Sequence, residues 1–250
     1  MVRLFSAEVT TITSISSEAS LLEIHAPTLV QAVLPGQYCM LRCCSPQSYD
    51  PLLRRPFYVH TVDHVRGLCT FLIYRQGRCS RWLASQSVGS HLDLLGPLGH
   101  GWPLASTVRN LLLVAEEQQL TALTLLTQVA VAQEIAVTIV YRCTDPEKAY
   151  PPALLPPEVE YHVETNDLVS TLDPYIAWAD TLCCSVSHET SLALYNHYER
   201  LRTKSFSRGT AEGMIFCGTG FCLLCDFETR SGPRMLCREG PIFDLRELVR

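Results

Sequence analysis

Cys217-Gly218-Thr219-Gly220-Phe221-Cys222-Leu223-Leu224-Cys225, completed by Cys237, is the stretch on which the reading of this chain turns. Its pattern is Cys-x4-Cys-x2-Cys-x11-Cys, and the first three spacings are those of plant-type [2Fe–2S] ligation. The reason is geometric. Two close cysteines can grip one iron, and a loop must wrap the cluster with its backbone N–H groups turned toward the sulfides. Gly218 and Gly220 keep side-chain bulk out of that wrap, and hydrogen bonds from such a loop help set the reduction potential. A tetrahedral four-cysteine zinc site and buried free thiols are the alternatives. Structural zinc usually pairs two short knuckles, whereas Cys237 stands alone. Iron–sulfur ligation by Cys217, Cys222, Cys225 and Cys237 is the leading reading, with zinc and then free thiols behind it.

These four belong to a total of 12 cysteines in 250 residues. Three points oppose a disulfide scaffold. A chain of this size can bury a core without staples. Met1-Val2-Arg3-Leu4-Phe5-Ser6-Ala7-Glu8 meets a charge at once, with no long apolar stretch of a secretory signal after it. The remaining eight cysteines are scattered, and the adjacent pairs Cys43-Cys44 and Cys183-Cys184 point to opposite faces of a strand and cannot chelate. Those eight read as small buried hydrophobes. A reducing cytoplasm fits this usage, and no apolar run is long enough to span a bilayer. Lys and Arg total 20 against 25 Asp and Glu, a net charge of −5 with no basic run, which excludes an electrostatic nucleic-acid surface. An apolar fraction of 47% excludes a wholly disordered chain. The histidines show no metal spacing, and no Ser-His-Asp or paired-carboxylate arrangement follows from spacing alone.

Upstream, the first hundred residues read as short strands: 5–15, 21–25, 37–42, 57–62 and 68–74, the last two joined by a hairpin loop over 63–67. Their spacing predicts an antiparallel barrel or sandwich. A short helix is expected over 80–87. Gly96-Pro97-Leu98-Gly99-His100-Gly101-Trp102-Pro103 is too rich in breakers to continue any element, and the first boundary is placed after it. From 110 to 200 the pattern alternates: strands at 111–114, 135–141, 158–163 and 181–185, a helix over 118–132, and a helix from an N-cap at Ser187 to about Arg202. Such alternation implies a parallel sheet covered on both faces. The last region holds the cysteines and many glycines, with little room for regular structure. The fold class is thus multidomain β and α/β, with domains at 1–103, 104–205 and 206–250.

With the cysteine stretch, the ending Leu236-Cys237-Arg238-Glu239-Gly240-Pro241-Ile242-Phe243-Asp244 resembles the C-terminus of the electron-transfer subunits of dihydroorotate dehydrogenase. Pro51-Leu52-Leu53-Arg54-Arg55-Pro56-Phe57-Tyr58 resembles their flavin motif, and Leu94-Leu95-Gly96-Pro97-Leu98-Gly99-His100-Gly101-Trp102 resembles a turn they share. The three blocks keep the family's order across nearly the whole chain. The resemblance implies a ferredoxin-reductase-like flavoprotein: an FAD-binding barrel, a nucleotide-binding α/β domain and a [2Fe–2S] domain. It further implies FAD contacts at Arg55, Pro56, Phe57 and Tyr58, at Ile73, Tyr74 and Arg75 on a second strand, and at Cys79 and Ser80 in the phosphate turn. The partner it implies is a catalytic dihydroorotate dehydrogenase-like flavoprotein subunit, in a hetero-oligomer serving pyrimidine biosynthesis.

The departures shape the functional expectation. Tyr58 stands where the family has a small Ser, and Cys79 where it has a glycine beside the phosphate. Val114-Ala115-Glu116-Glu117-Gln118 replaces a glycine-rich loop, putting two glutamates where a nucleotide phosphate would meet a helix N-terminus. Cys184-Ser185-Val186 replaces a Cys-Gly-Pro motif. The chain is therefore expected to move electrons between FAD and a [2Fe–2S] cluster without oxidising NAD(P)H. The competing reading is a non-flavin scaffold that keeps only a four-cysteine metal centre.

Overall fold

A computed structural model describes residues 2–248. The N-terminal half is one seven-stranded antiparallel sheet, curled as a half-barrel. Its strands are β1 (Arg3–Ser14), β2 (Ala19–His25), β3 (Tyr38–Leu41), β4 (Arg55–Tyr58), β5 (Thr61–Asp63), β6 (Leu68–Tyr74) and β7 (His91–Leu98), in the order β4-β3-β7-β1-β2-β6-β5. Helices α1 (Pro27–Ala32) and α2 (Arg78–Ala84) lie between strands. Val9, Leu22, Ile24, Phe71 and Ile73 fill the core with Leu29 and Leu83 of the two helices.

A six-stranded sheet follows: β8 (Asn110–Glu116), β9 (Ala136–Arg142), β10 (Glu160–Glu164), β11 (Thr181–Ser185), β12 (Ser207–Thr210) and, later in the chain, β15 (Ile242–Asp244). The order is β10-β9-β8-β11-β12-β15, parallel except for the last pair. Strand periodicity divides the continuous apolar run of β8. Leu111, Leu113 and Ala115 pack toward the half-barrel with Trp102 and Leu72, while Leu112 and Val114 face Leu194, Phe206 and Leu245 on the other side. Helices α3 (Thr124–Ala132), α4 (Asp173–Trp178) and α5 (His188–Leu194) cover the sheet. The C-terminal part adds the hairpin β13 (Asp226–Thr229) and β14 (Gly232–Met235), with α6 (Leu236–Glu239) and α7 (Leu245–Leu248).

Several local expectations change. The strand expected over 57–62 is two, β4 pairing with β3 and β5 with β6, because the chain changes partners at Val59-His60. His60 turns inward there to Tyr150 Oη at 2.6 Å and Thr70 Oγ1 at 3.3 Å. The breaker-rich segment does not end at Gly96: β7 runs through Gly96-Pro97, and Gly96 sits against Cys39 where a Cβ would strike the sulfur. The helix expected over 118–132 starts as a 3₁₀ turn at Glu117–Ala122 and becomes α-helical only from Thr124. Ser187 does cap α5, its hydroxyl accepting the Thr190 N–H, but the helix widens over Tyr195–Glu199. That turn carries Glu199 inward, fully buried, to accept from the Phe206 and Ser207 N–H groups and from Arg246 Nε at 2.6 Å. The region after 206 is also more regular than expected, since β12 and β15 complete the six-stranded sheet.

Candidate functional site

One cavity of about 680 Å³ opens beside β4. Arg55, Pro56, Phe57 and Tyr58 of β4, Tyr74 at the end of β6, and Gly77, Arg78, Cys79 and Ser80 at the start of α2 all line it. Its volume lies within the range of small-molecule sites, and its wall combines aromatic faces with a few polar groups, as such sites do. Arg54 and Arg55 take different roles. Arg54 is held by Asp93, Nη2 to Oδ2 at 2.7 Å, whereas Arg55 is exposed at the cavity, its Nη1 donating only to nearby carbonyls. Ser80 Oγ accepts the Gly77 N–H at 3.0 Å and closes the turn. Burial pushes the Tyr74 phenol up to about 12. The Cys79 thiol contacts that of Cys43.

Two of the expected flavin contacts lie elsewhere. Ile73 is buried in the half-barrel core. Arg75 turns toward the β1–β2 connection, donating to Ser14 Oγ at 2.9 Å and to the Ser16 and Ala19 carbonyls. On β6, Leu72 and Tyr74 face the cavity and Ile73 between them faces the core, while Arg75 lies past the strand's end. Conversely, Gln118 and Thr121 line the cavity from the 3₁₀ turn of the next domain. No local pattern marks them, because only the packing of the two sheets brings them there.

At the carboxyl ends of β8 and β11, where open α/β sheets bind ligands, the chain's own side chains fill the space. Glu116 is 3% exposed. Its Oε1 accepts from Thr190 Oγ1 at 2.6 Å and from Arg142 Nη2 at 2.7 Å, and its Oε2 from the Ser187 N–H at 2.8 Å. Glu117, at φ 46°, reaches the other way, its Oε1 accepting from the N–H and hydroxyl of Thr144, each at 2.7 Å. Burial raises the Glu117 carboxyl, but these donors outweigh it and hold the group below its ordinary range. The two glutamates thus tie β8 to the chain after β9 and to the start of α5. Neither stands free before α3.

The cysteine loop brings its four thiols near one another, Cys222 acting on the Cys217 thiol and both Cys225 and Cys217 on that of Cys237. Backbone N–H groups point at the sulfurs, Gly220 to Cys237 Sγ at 3.1 Å, Thr219 to Cys217 Sγ at 3.4 Å and Cys237 to Cys225 Sγ at 3.5 Å. Gly218 (φ 76°), Gly220 (φ 80°) and Leu223 (φ 58°) adopt the left-handed backbone that makes this wrap. At Gly218 a Cβ would also strike Met40 and Leu98 of the half-barrel. Burial raises the Cys217 thiol, yet the N–H groups of Cys222 and Thr219 bring it down to about 6. Among the described residues, no three His, Cys, Asp or Glu side chains gather as ligands of a single metal ion.

Comparison with known proteins matches a domain at each end of the chain. Residues 6–102 match the oxidoreductase FAD-binding domain, and residues 212–249 match the iron-sulfur cluster binding domain of dihydroorotate dehydrogenase B. The chain is 23% identical over 262 residues to the dihydroorotate dehydrogenase B (NAD(+)) electron transfer subunit of Desulforamulus reducens, covering 100% of this chain and 99% of that protein. It is 27% identical over 238 residues to the same subunit of Bacillus cereus, covering 89% and 90%. An NADH-dependent reduced ferredoxin-NADP oxidoreductase shares the fold, with a TM-score of 0.80 at 17% identity over 96% of this chain and 88% of that one. A ferredoxin reductase of carbazole 1,9a-dioxygenase gives 0.64 at 17% identity, over 78% and 64%. With both domain matches and relatives aligned over nearly their whole length, the chain is similar end to end to the electron transfer subunits of dihydroorotate dehydrogenase B.

Proposed function

We propose that this protein moves electrons between FAD in the half-barrel cavity and a [2Fe–2S] cluster on Cys217, Cys222, Cys225 and Cys237, serving a dihydroorotate-oxidising partner in pyrimidine biosynthesis. When bound, FAD exchanges electrons singly or in pairs, and the cluster exchanges them one at a time. The protein's part is to bind, orient and exclude water. Arg55 supplies charge at the cavity, Tyr74 and Phe57 supply ring faces, and Tyr58, Pro56, Cys79 and Ser80 complete the wall. Ile73 and Arg75 support that wall from behind. The observation that carries the reading is the shared frame: β4 lines the cavity, while Met40 on the adjacent β3 and Leu98 on β7 touch the cluster loop.

The filled crevice supports a chain that does not use NAD(P)H. A nucleotide phosphate arriving there would find the Ser187 N–H, the Thr190 hydroxyl and Arg142 already taken by Glu116. The partner is a catalytic dihydroorotate dehydrogenase-like flavoprotein subunit in a hetero-oligomer. Exposed Met214, Phe221, Leu223 and Leu224 around the cluster loop offer it an apolar docking face. All twelve cysteines are free, which suits a reducing cytoplasm, and among the described residues no helix is long and apolar enough to cross a membrane. The domain limits 1–103, 104–205 and 206–250 organise this reading, with residues 1, 249 and 250 outside the described residues. An anaerobic absorbance spectrum with iron and flavin analysis tests it. Flavin bands with iron–sulfur shoulders are expected. Iron–sulfur absorption without releasable flavin favours the scaffold reading, and a colourless zinc protein overturns both iron-containing versions.

A further inference from the structure

We infer that Tyr58 and Tyr38 form the electron-coupling bridge between the flavin cavity and the cluster loop, ending at the backbone of Cys237. Tyr58 lines the cavity. Tyr38 lies directly opposite it on the neighbouring strand. Their rings meet edge to face, centroids 6.3 Å apart at 78°, a favoured aromatic geometry. The Tyr38 hydroxyl then donates to the Cys237 carbonyl oxygen at 3.2 Å. Two contacts thus lead from the cavity wall to a cysteine of the cluster set.

Beyond Tyr58 the path is buried. Tyr38 is 1% exposed and packs with Met40 and Leu98, while Tyr58, Leu95 and Ile215 close around them. The backbones on either side approach as near as glycine allows: a Cβ on Gly218 would strike Met40 and Leu98, and one on Gly99 would strike Tyr38 and Pro241. His100 adds hydrogen bonds of 2.7 Å from its N–H to the Gly240 carbonyl and between its ring and the Glu239 carbonyl. Close packing of this kind leaves no void in the route, and electronic coupling decays more slowly through packed atoms and hydrogen bonds than across a gap. Tyr58 is also the residue that replaces a small Ser in the resembling motif, so the aromatic pair is a feature of this chain. Each crossing oxidises the flavin side by one electron and reduces one ferric ion to ferrous, or the reverse; Tyr38 keeps its proton.

The inference rests on the electron-transfer reading above, and the experiment separates the two. The holoprotein and its Tyr38→Phe and Tyr38→Leu variants are assayed for flavin and iron, titrated for both midpoint potentials, and pulsed with reductant to follow flavin-to-cluster equilibration. Tyr38→Phe removes only the hydrogen bond; Tyr38→Leu also removes the ring. The expected result is a severalfold slower equilibration in Tyr38→Phe and a steeper loss in Tyr38→Leu, with potentials unchanged. Exposed Tyr49 gives the control, Tyr49→Phe remaining at the wild-type rate. Wild-type rates in a fully loaded Tyr38→Phe variant overturn the bridge, as does a slowing wholly explained by a shifted cluster potential. Absence of flavin or iron from the wild-type protein overturns the underlying reading instead.

Discussion

The cavity beside β4 and the crevice at the ends of β8 and β11 are the two places where this architecture takes a ligand. They have diverged within one chain. At the cavity, the turn before α2 keeps Gly77, where an added Cβ would meet nothing within 4 Å, and among the described residues Arg55 has no carboxylate partner in a hydrogen bond or ion pair. The space is open and its charge is available. At the crevice, Glu116 already satisfies the Ser187 N–H, the Thr190 hydroxyl and Arg142, the same kinds of donor an incoming phosphate would use. A binding site is lost most stably when its donors are given an internal acceptor, because a buried donor without one costs about 1–3 kcal/mol. The contacts that would compete with a phosphate at the crevice thus also hold β8 to α5.

The sharpest way to break this contrast is Glu116→Ala. It strands Arg142, Thr190 and the Ser187 N–H together, so a loss of about 3 kcal/mol is expected in chemical denaturation. Glu116→Gln keeps an acceptor and costs clearly less. If the alanine variant is as stable as the parent, the carboxylate does not hold the crevice.

The next effect lies where the two regions meet. His60 is buried, bonded to Tyr150, and burial lowers its pKa from 6.5 to about 4. The folded state keeps it neutral while the unfolded state takes up a proton, so stability is full above pH 6.5 and falls between there and about pH 4. About 2 kcal/mol is lost by pH 5 from this group, and the loss levels off below the folded value. His60→Gln flattens that part of the profile in urea titrations at pH 7 and pH 5; an unchanged slope would assign the acid sensitivity to other groups.

At the cavity itself, Arg55→Ala is expected to weaken FAD binding by about tenfold, near 1.5 kcal/mol, as one charge-assisted contact is lost. Fluorescence titration of the flavin-free protein measures it. Arg54→Ala acts differently, lowering stability through Asp93 rather than flavin affinity. The smallest expected effect is a null one: micromolar NADH leaves the flavin of the holoprotein oxidised. Bleaching of the flavin bands under anaerobic NADH would reopen the crevice as a working site.

Much of this was legible in the residues because it was local. The cysteine spacing points to four candidate ligands without knowledge of the fold, and the alternation of strands and helices points to a parallel sheet after the half-barrel. Tyr74 and Ser80 line the cavity, whereas Ile73 faces the core between Leu72 and Tyr74 and Arg75 turns to the β1–β2 connection past the end of β6. Gln118 and Thr121 had no mark in the sequence, as they reach the cavity only through packing between the sheets. The two glutamates were legible as a departure, but not the direction in which each side chain turns.

By itself, then, the sequence determined the cysteine set, the flavin strand around Arg55 and Tyr58, and the loss of glycine after β8. These are statements about neighbours along the chain, where covalent spacing sets what can meet. Tertiary structure alone decided that backbone N–H groups turn toward the thiols, that Glu116 accepts the Ser187 N–H at the start of α5 rather than facing α3, and that Tyr38 stands between Tyr58 and Cys237. Those contacts join residues as far apart as 199 positions, and only the packing of one sheet against the cluster loop brings them within reach.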